Sequence, residues 1–185
     1  VQDKVVRLLP AYTDEGELLI GISGVGPGDA VSLWLQIAPG SGDADRVPPE
    51  VRWSVLGDNA WRALGPRELT VDTTRRLTNS GIIALALPQE TSLEHSLLPP
   101  GQVWLKAAVA AGSSASCRLI DVLANAVEVA FVGGDSPHLA RPLPAGSISK
   151  LKAAPPAVKQ AAQPFASQGG HSPENTEQLA VRAAE

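Results

Sequence analysis

The stretch Val51–Leu64, VRWSVLGDNAWRAL, constrains the fold more than any other. Val51, Trp53 and Val55 alternate with Arg52 and Ser54, a period of two that puts every second side chain on one face of a strand. Gly57-Asp58-Asn59 breaks the run, and Trp61 and Ala63 then alternate with Arg62. Apolar runs on either side of a short Gly/Asp/Asn loop predict a β-hairpin. A three-residue loop sets Val55 opposite Trp61 and Trp53 opposite Ala63, with both indoles on one side of the ribbon. Rings of that size bury more apolar area than any other pair in the chain, so the hairpin is expected at the centre of a β-sheet core.

The same alternation recurs along the first two thirds of the chain. Lys4–Leu9 reads as a first short strand and Glu17–Ser23 as a buried one. Val31–Ile37, Gly81–Leu87 and Gln102–Val109 follow, then Cys117–Val122 and Ala126–Val132 around Leu123-Ala124-Asn125. Gly/Pro clusters such as Gly24–Asp29 and Pro99-Pro100-Gly101 separate them. The expected fold is all-β, an antiparallel β-sandwich of jelly-roll or Ig-like type over residues 1–132. Residues 133–171 are rich in Pro, Ala, Gly and Ser and predict an extended linker, pinned at Leu143, Ile148, Leu151, Val158 and Phe165, without a second core. At residues 172–185 Ser172 suits an N-cap, Pro173 the first helical position, and Glu174 and Glu177 the positive helix end. That pattern is uncapped at Glu185, and the chain has no Met, so a piece of a longer protein is expected.

Charge and motifs narrow the function. A net charge of −4, with no basic run interleaved with aromatics, argues against a nucleic-acid surface. Nothing approaches the roughly 18 successive apolar residues of a membrane span, and VQDKVV does not open a signal peptide. Gly24–Asp29 lacks the Lys-Ser/Thr ending of a phosphate-cradling loop and precedes a strand. Asp43 and Asp45 fall short of calcium-loop spacing. His95, His138 and His171 are too far apart to form a metal pair, and no GxSxG elbow occurs. Cys117 is the single cysteine, without a nearby base, and reads as a small buried hydrophobe. No catalytic residue, metal or cofactor is therefore expected. What stands out is on the surface. Trp34 and Trp104 fall on the polar faces of their strands, and Arg75-Arg76 lies in a polar connection. These four are the candidate contact residues, since aromatic residues and arginine are enriched in protein interfaces.

Four segments resemble the baseplate J-like (baseplate assembly) proteins of contractile phage tails and phage-tail-like injection particles. They are PGDAVSLWLQIAPGSGDADRVPPEVRWSVLGDNAWRAL (Pro27–Leu64); LTNSGIIALALP (Leu77–Pro88); LLPPGQVWLKAAVA with CRLIDVLANAVEVAF (Leu97–Ala110, Cys117–Phe131); and LPAGSISKLK leading into QPFASQGGHSPENTEQLAVRAAE (Leu143–Lys152, Gln163–Glu185). His171 stands where an Arg commonly follows the Gly-Gly of that family. The resemblance implies a structural module making protein–protein contacts in the baseplate wedge, without catalysis. It implies other baseplate, sheath or spike proteins as partners, a homo- or hetero-oligomeric ring, and assembly in the cytoplasm before the module becomes part of the particle. The alternative is a carbohydrate-binding β-sandwich that stacks sugars on Trp34 or Trp104, which calls for an exposed, coplanar pair of indoles.

Overall fold

Alternating side chains need two apolar faces pressed together, and the described residues form them from eight antiparallel strands. The computed structural model describes residues 13–130, 141–156 and 158–167. The strands are β1 (Gly16–Ile22), β2 (Ala30–Ile37), β3 (Arg52–Leu56), β4 (Trp61–Ala63), β5 (Leu69–Asp72), β6 (Gly81–Ala86), β7 (Val103–Val109) and β8 (Leu119–Ala124). One sheet has the order β1-β7-β3-β4 and the other β5-β6-β2-β8, a β-sandwich whose described helical content is a single 3-10 turn at Ser113–Ala115. The chain divides into two compact units, Val1–Val129 and Ala130–Glu185, and the sandwich belongs to the first.

The core is the inward half of each alternating strand. Leu33, Leu35 and Ile37 of β2 meet Ile83 and Leu85 of β6 within one sheet. Across the gap lie Val103, Leu105 and Ala107 of β7 with Trp53 and Val55 of β3. Burying a side chain of Leu or Val size contributes about 1.5–3 kcal/mol, so these facing rows hold the sheets together. Thr74 and Thr91 are the buried polar residues among those described.

The central hairpin forms in a different register from the expected one. Leu56 pairs with Trp61, Val55 with Arg62 and Ser54 with Ala63. Asn59 adopts a left-handed conformation (φ 53°), and the Gly57 N–H donates to the Ala60 carbonyl at 2.9 Å. The reversal therefore takes place at Asp58-Asn59, and the register moves by one residue. Trp53 points into the core, while Trp61 lies on the outward face with Ser54. The hairpin is also not central as a unit, because β4 is an edge strand and β3 lies between it and β7.

Other differences are local. Leu69–Asp72 pairs with β6, although its sequence reads as polar connection. β8 extends through Leu123 and Ala124, the Ala126 N–H still donates to the Ser32 carbonyl of β2 at 3.3 Å, and residues 126–130 form no strand. A bulge between Gln36 and Ile37 sets the start of β8. The expected strand at Lys4–Leu9, residues 131–132 and the expected helix at 172–185 lie outside the described residues.

The described part of the second unit is extended and turning. The Leu143 N–H donates to Ser167 Oγ and the Ser167 N–H to the Leu143 carbonyl, at 2.7 and 2.9 Å. The Gly146 N–H donates to the Gln163 carbonyl at 2.8 Å, and Gln163 Oε1 accepts from the Ile148 N–H at 2.9 Å. Ile148, Leu151 and Val158 remain exposed, so this segment has no packed core among its described residues.

Candidate interaction surface

Trp34 lies between Leu33 and Leu35, whose side chains are buried, and so points away from the core on the outer face of its sheet. Its neighbours across the strands are Ile82 of β6 and Leu123 of β8. The ring is half-buried in this row.

Trp104 occupies the outer face of the other sheet, opposite Gly21 of β1. A Cβ at Gly21 would lie 3.0 Å from Trp104 Cη2, so the absence of a side chain there lets the indole lie flat over β1. Trp104 Nε1–H donates to the Pro99 carbonyl at 2.9 Å, which clamps the ring to the connection between β6 and β7. The same connection is held to the β3–β4 turn, where Asn59 Oδ1 accepts from the Ser96 N–H at 2.8 Å. His95 lies in this connection, while His138 and His171 are outside the described residues. The two candidate tryptophans are thus on the outer faces of opposite sheets and form no shared platform.

Trp61 has a partner that the sequence did not indicate. Lys106 Nζ lies 5.1 Å from its ring centroid. The same ammonium is 3.0 Å from Glu17 and 3.9 Å from Asp14, and Asp14 also pairs with Arg52. Shifting the hairpin by one residue brings these groups together, because Lys106 is opposite Ser54 and both share the outward face with Trp61. A second pair, Arg62–Glu68 at 2.7 Å, ties the edge strand β4 to the turn before β5. The Arg62 guanidinium and the Gly65 N–H hold the Glu68 carboxyl below its ordinary range. The Ser113 hydroxyl, with the N–H groups of Gly112 and Ser113, does the same for Glu15. The Arg62–Glu68 pair is partly exposed and adds little stability, whereas the Lys106 and Asp14 side chains are largely covered.

Arg75 and Arg76 sit in the β5–β6 connection, in an unusual backbone. Arg75, Arg76 and Leu77 take φ of 51°, 61° and 59°, three successive left-handed residues without a glycine. Buried Thr74 organises the turn. Its N–H and hydroxyl both donate to Asp72 Oδ1, at 2.8 and 2.7 Å, and its Oγ1 accepts from the Leu77 N–H at 3.2 Å. Its carbonyl accepts from the N–H groups of Thr78 and Asn79. Arg76 Nη1 donates to the Pro48 carbonyl at 3.0 Å, while Arg75 is exposed and has no ion pair among the described residues.

Where the edge strands β1 and β8 face each other, the sandwich opens into a cleft of about 220 Å³. Leu18, Leu35, Ala107, Val109, Cys117 and Leu119 line it, an apolar set that offers no acid–base pair. Among the described residues no three His, Cys, Asp or Glu side chains gather in a way that would hold a metal, and no helix is long and apolar enough to cross a membrane.

Residues 8–185 match the family of PVC11-like baseplate proteins. The chain belongs to that family. No curated protein matches it. As a PVC11-like baseplate protein it is a structural component of a phage-tail-like injection particle.

Proposed function

We propose that this baseplate protein works as an assembly module, holding neighbouring particle proteins through the outer surfaces of its sandwich, without catalysis. The family match over residues 8–185 carries this reading. The surface supports it. Trp34 presents a half-buried ring amid Ile82 and Leu123, and Arg75 and Arg76 offer cations in the connection between β5 and β6 of the same sheet. Trp104 is the weaker contact, since Gly21 and Pro99 already engage its ring. In this reading the module sits in the wedge, touches other baseplate, sheath or spike proteins, takes part in a ring, and is assembled in the cytoplasm before joining the particle. The extended segment of the second unit supplies length of chain for lying across a neighbour. A sugar platform is disfavoured by the placement of Trp34 and Trp104 on opposite faces.

The test is size-exclusion chromatography with light scattering, using the chain mixed with the other baseplate proteins of its particle. Stable co-elution that weakens in Trp34→Ala supports the reading. A chain that ignores every baseplate protein but is retarded on a glycan surface refutes it.

A further inference from the structure

We propose that the left-handed turn after β5 is a recognition element, in which Arg75 and Arg76 receive carboxylates from an acidic segment of a neighbouring protein. The proposal rests on the assembly role above and names the partner chemistry of one part of that surface.

The argument starts from what each residue of the turn does for the fold. Leu77 packs against the core, and its carbonyl accepts from the Cys117 N–H at 3.2 Å. Arg76 reaches back to the Pro48 carbonyl at 3.0 Å and so fixes the preceding loop. The Arg75 carbonyl accepts from the Thr78 hydroxyl at 2.7 Å, a main-chain role that any residue fills. The Arg75 guanidinium has no such task, for it is exposed and unpaired among the described residues. Its backbone, at φ 51°, is one that glycine or asparagine adopts at lower cost. A strained position held by an arginine that folding does not use is an observation pointing outward.

The local electrostatics decide the partner. Asp72 is the carboxylate of the turn, and its Oδ1 accepts from the Thr74 N–H and hydroxyl. Arg46 is paired with Asp43 at 3.1 Å. Arg118 follows Cys117, which is bonded to Leu77, and it too is exposed without an ion pair among the described residues. Planar guanidinium groups match carboxylates through paired hydrogen bonds. No basic run interleaved with aromatics lies around the turn to stack nucleic-acid bases, so a short acidic protein segment fits better. The Thr74 lock holds the turn in place before binding, which limits the ordering cost.

The experiment uses the full chain and an immobilised alternating Glu-Asp dodecapeptide, with a single-stranded dodecanucleotide as the competing class, at low and high salt. Arg75→Asn keeps a residue that tolerates the left-handed backbone, removes the cation that the fold does not use, and leaves the Arg76 bond to Pro48 in place. The expected results are salt-sensitive peptide binding by the wild type and a loss of about tenfold or more in the variant. Thermal melts of the variant should match or exceed the wild type. Equal peptide binding by variant and wild type, tighter binding of the nucleotide, no binding of either, or a clear loss of melting temperature in the variant each overturn the proposal. Co-elution of the same proteins with baseplate partners separates it from the reading on which it rests. Partners retained equally by wild type and variant leave the assembly role standing while this inference falls. Partners absent for both, with peptide binding lost only in the variant, do the reverse.

Discussion

The two buried threonines provide a matched pair, since Thr→Val removes the same hydroxyl at almost the same volume. Thr74 is fully buried, its hydroxyl donates to Asp72 Oδ1, and its oxygen accepts from the Leu77 N–H. Replacing it with Val leaves the Leu77 N–H without its partner, which costs about 1–3 kcal/mol. The lost bond to a carboxylate adds less than the usual ~1.5–3 kcal/mol for a charged acceptor, because Asp72 is exposed and water takes the place. Thr74→Val should therefore destabilise by about 2–3 kcal/mol, which lowers the melting temperature of a sandwich this size by roughly 10 °C. Thr91 is also buried, but its Oγ1 has no hydrogen-bond partner, while its N–H donates to the Pro88 carbonyl at 3.1 Å. Thr91→Val removes only an unmatched hydroxyl and should leave stability unchanged or raise it by up to about 1 kcal/mol. Urea titrations followed by circular dichroism and tryptophan fluorescence measure both, provided the slopes agree. Equal effects of the two substitutions, or a Thr74→Val protein within about 0.5 kcal/mol of wild type, would refute the claim that Thr74 locks the left-handed turn.

Leu35 is fully buried on β2, and Leu35→Ala should cost about 3–5 kcal/mol in the same titration. Gly21→Val should push Trp104 off β1, destabilising by about 1–3 kcal/mol and shifting its emission as the Nε1–H leaves the Pro99 carbonyl. Glu15 and Glu68 have folded pKa values lowered from 4.5, so their contribution is present above that pH and fades as pH falls through the lowered values. Denaturation midpoints should accordingly hold from pH 7 down to about 5 and then drop, with a shallower drop for the Glu15→Gln/Glu68→Gln protein. An identical acid limb in that variant would show that other carboxylates govern it.

Much of this architecture is legible in the sequence wherever a strand is long and half-buried. Val31–Ile37 and Gln102–Val109 alternate cleanly because each has one face in the core and one outside, and their observed bounds differ by a residue. β5 was illegible because its residues Leu69–Asp72 are mostly exposed, and an edge strand with little burial has no pattern to read. The alternation over the described residues 126–130 misled for the opposite reason. Val127 and Val129 repeat with a period of two but are 78% and 66% exposed, so their alternation reports no buried face. The hairpin turned on a single conformational choice at Asn59, which no apolar pattern encodes. Of the candidate contact residues, the outward placement of both tryptophans follows from alternation alone. The left-handed backbone of Arg75 and Arg76 does not, because it depends on Thr74 being buried and bonded to Asp72.

The sheet order also bears on how this protein is made. Only β3–β4 and β5–β6 join strands that are neighbours in the chain. β1 waits for β7, pairing Gly16 with Val109, and β2 needs both β6 and β8. During synthesis, then, two short hairpins and the β2–β6 pair are all that can close before residues 103–109 emerge, and they leave apolar edges uncovered. Such long-range pairing slows folding and lengthens the time in which those edges can meet another nascent chain. Keeping such chains apart until β8 is released would therefore limit mispairing of those edges.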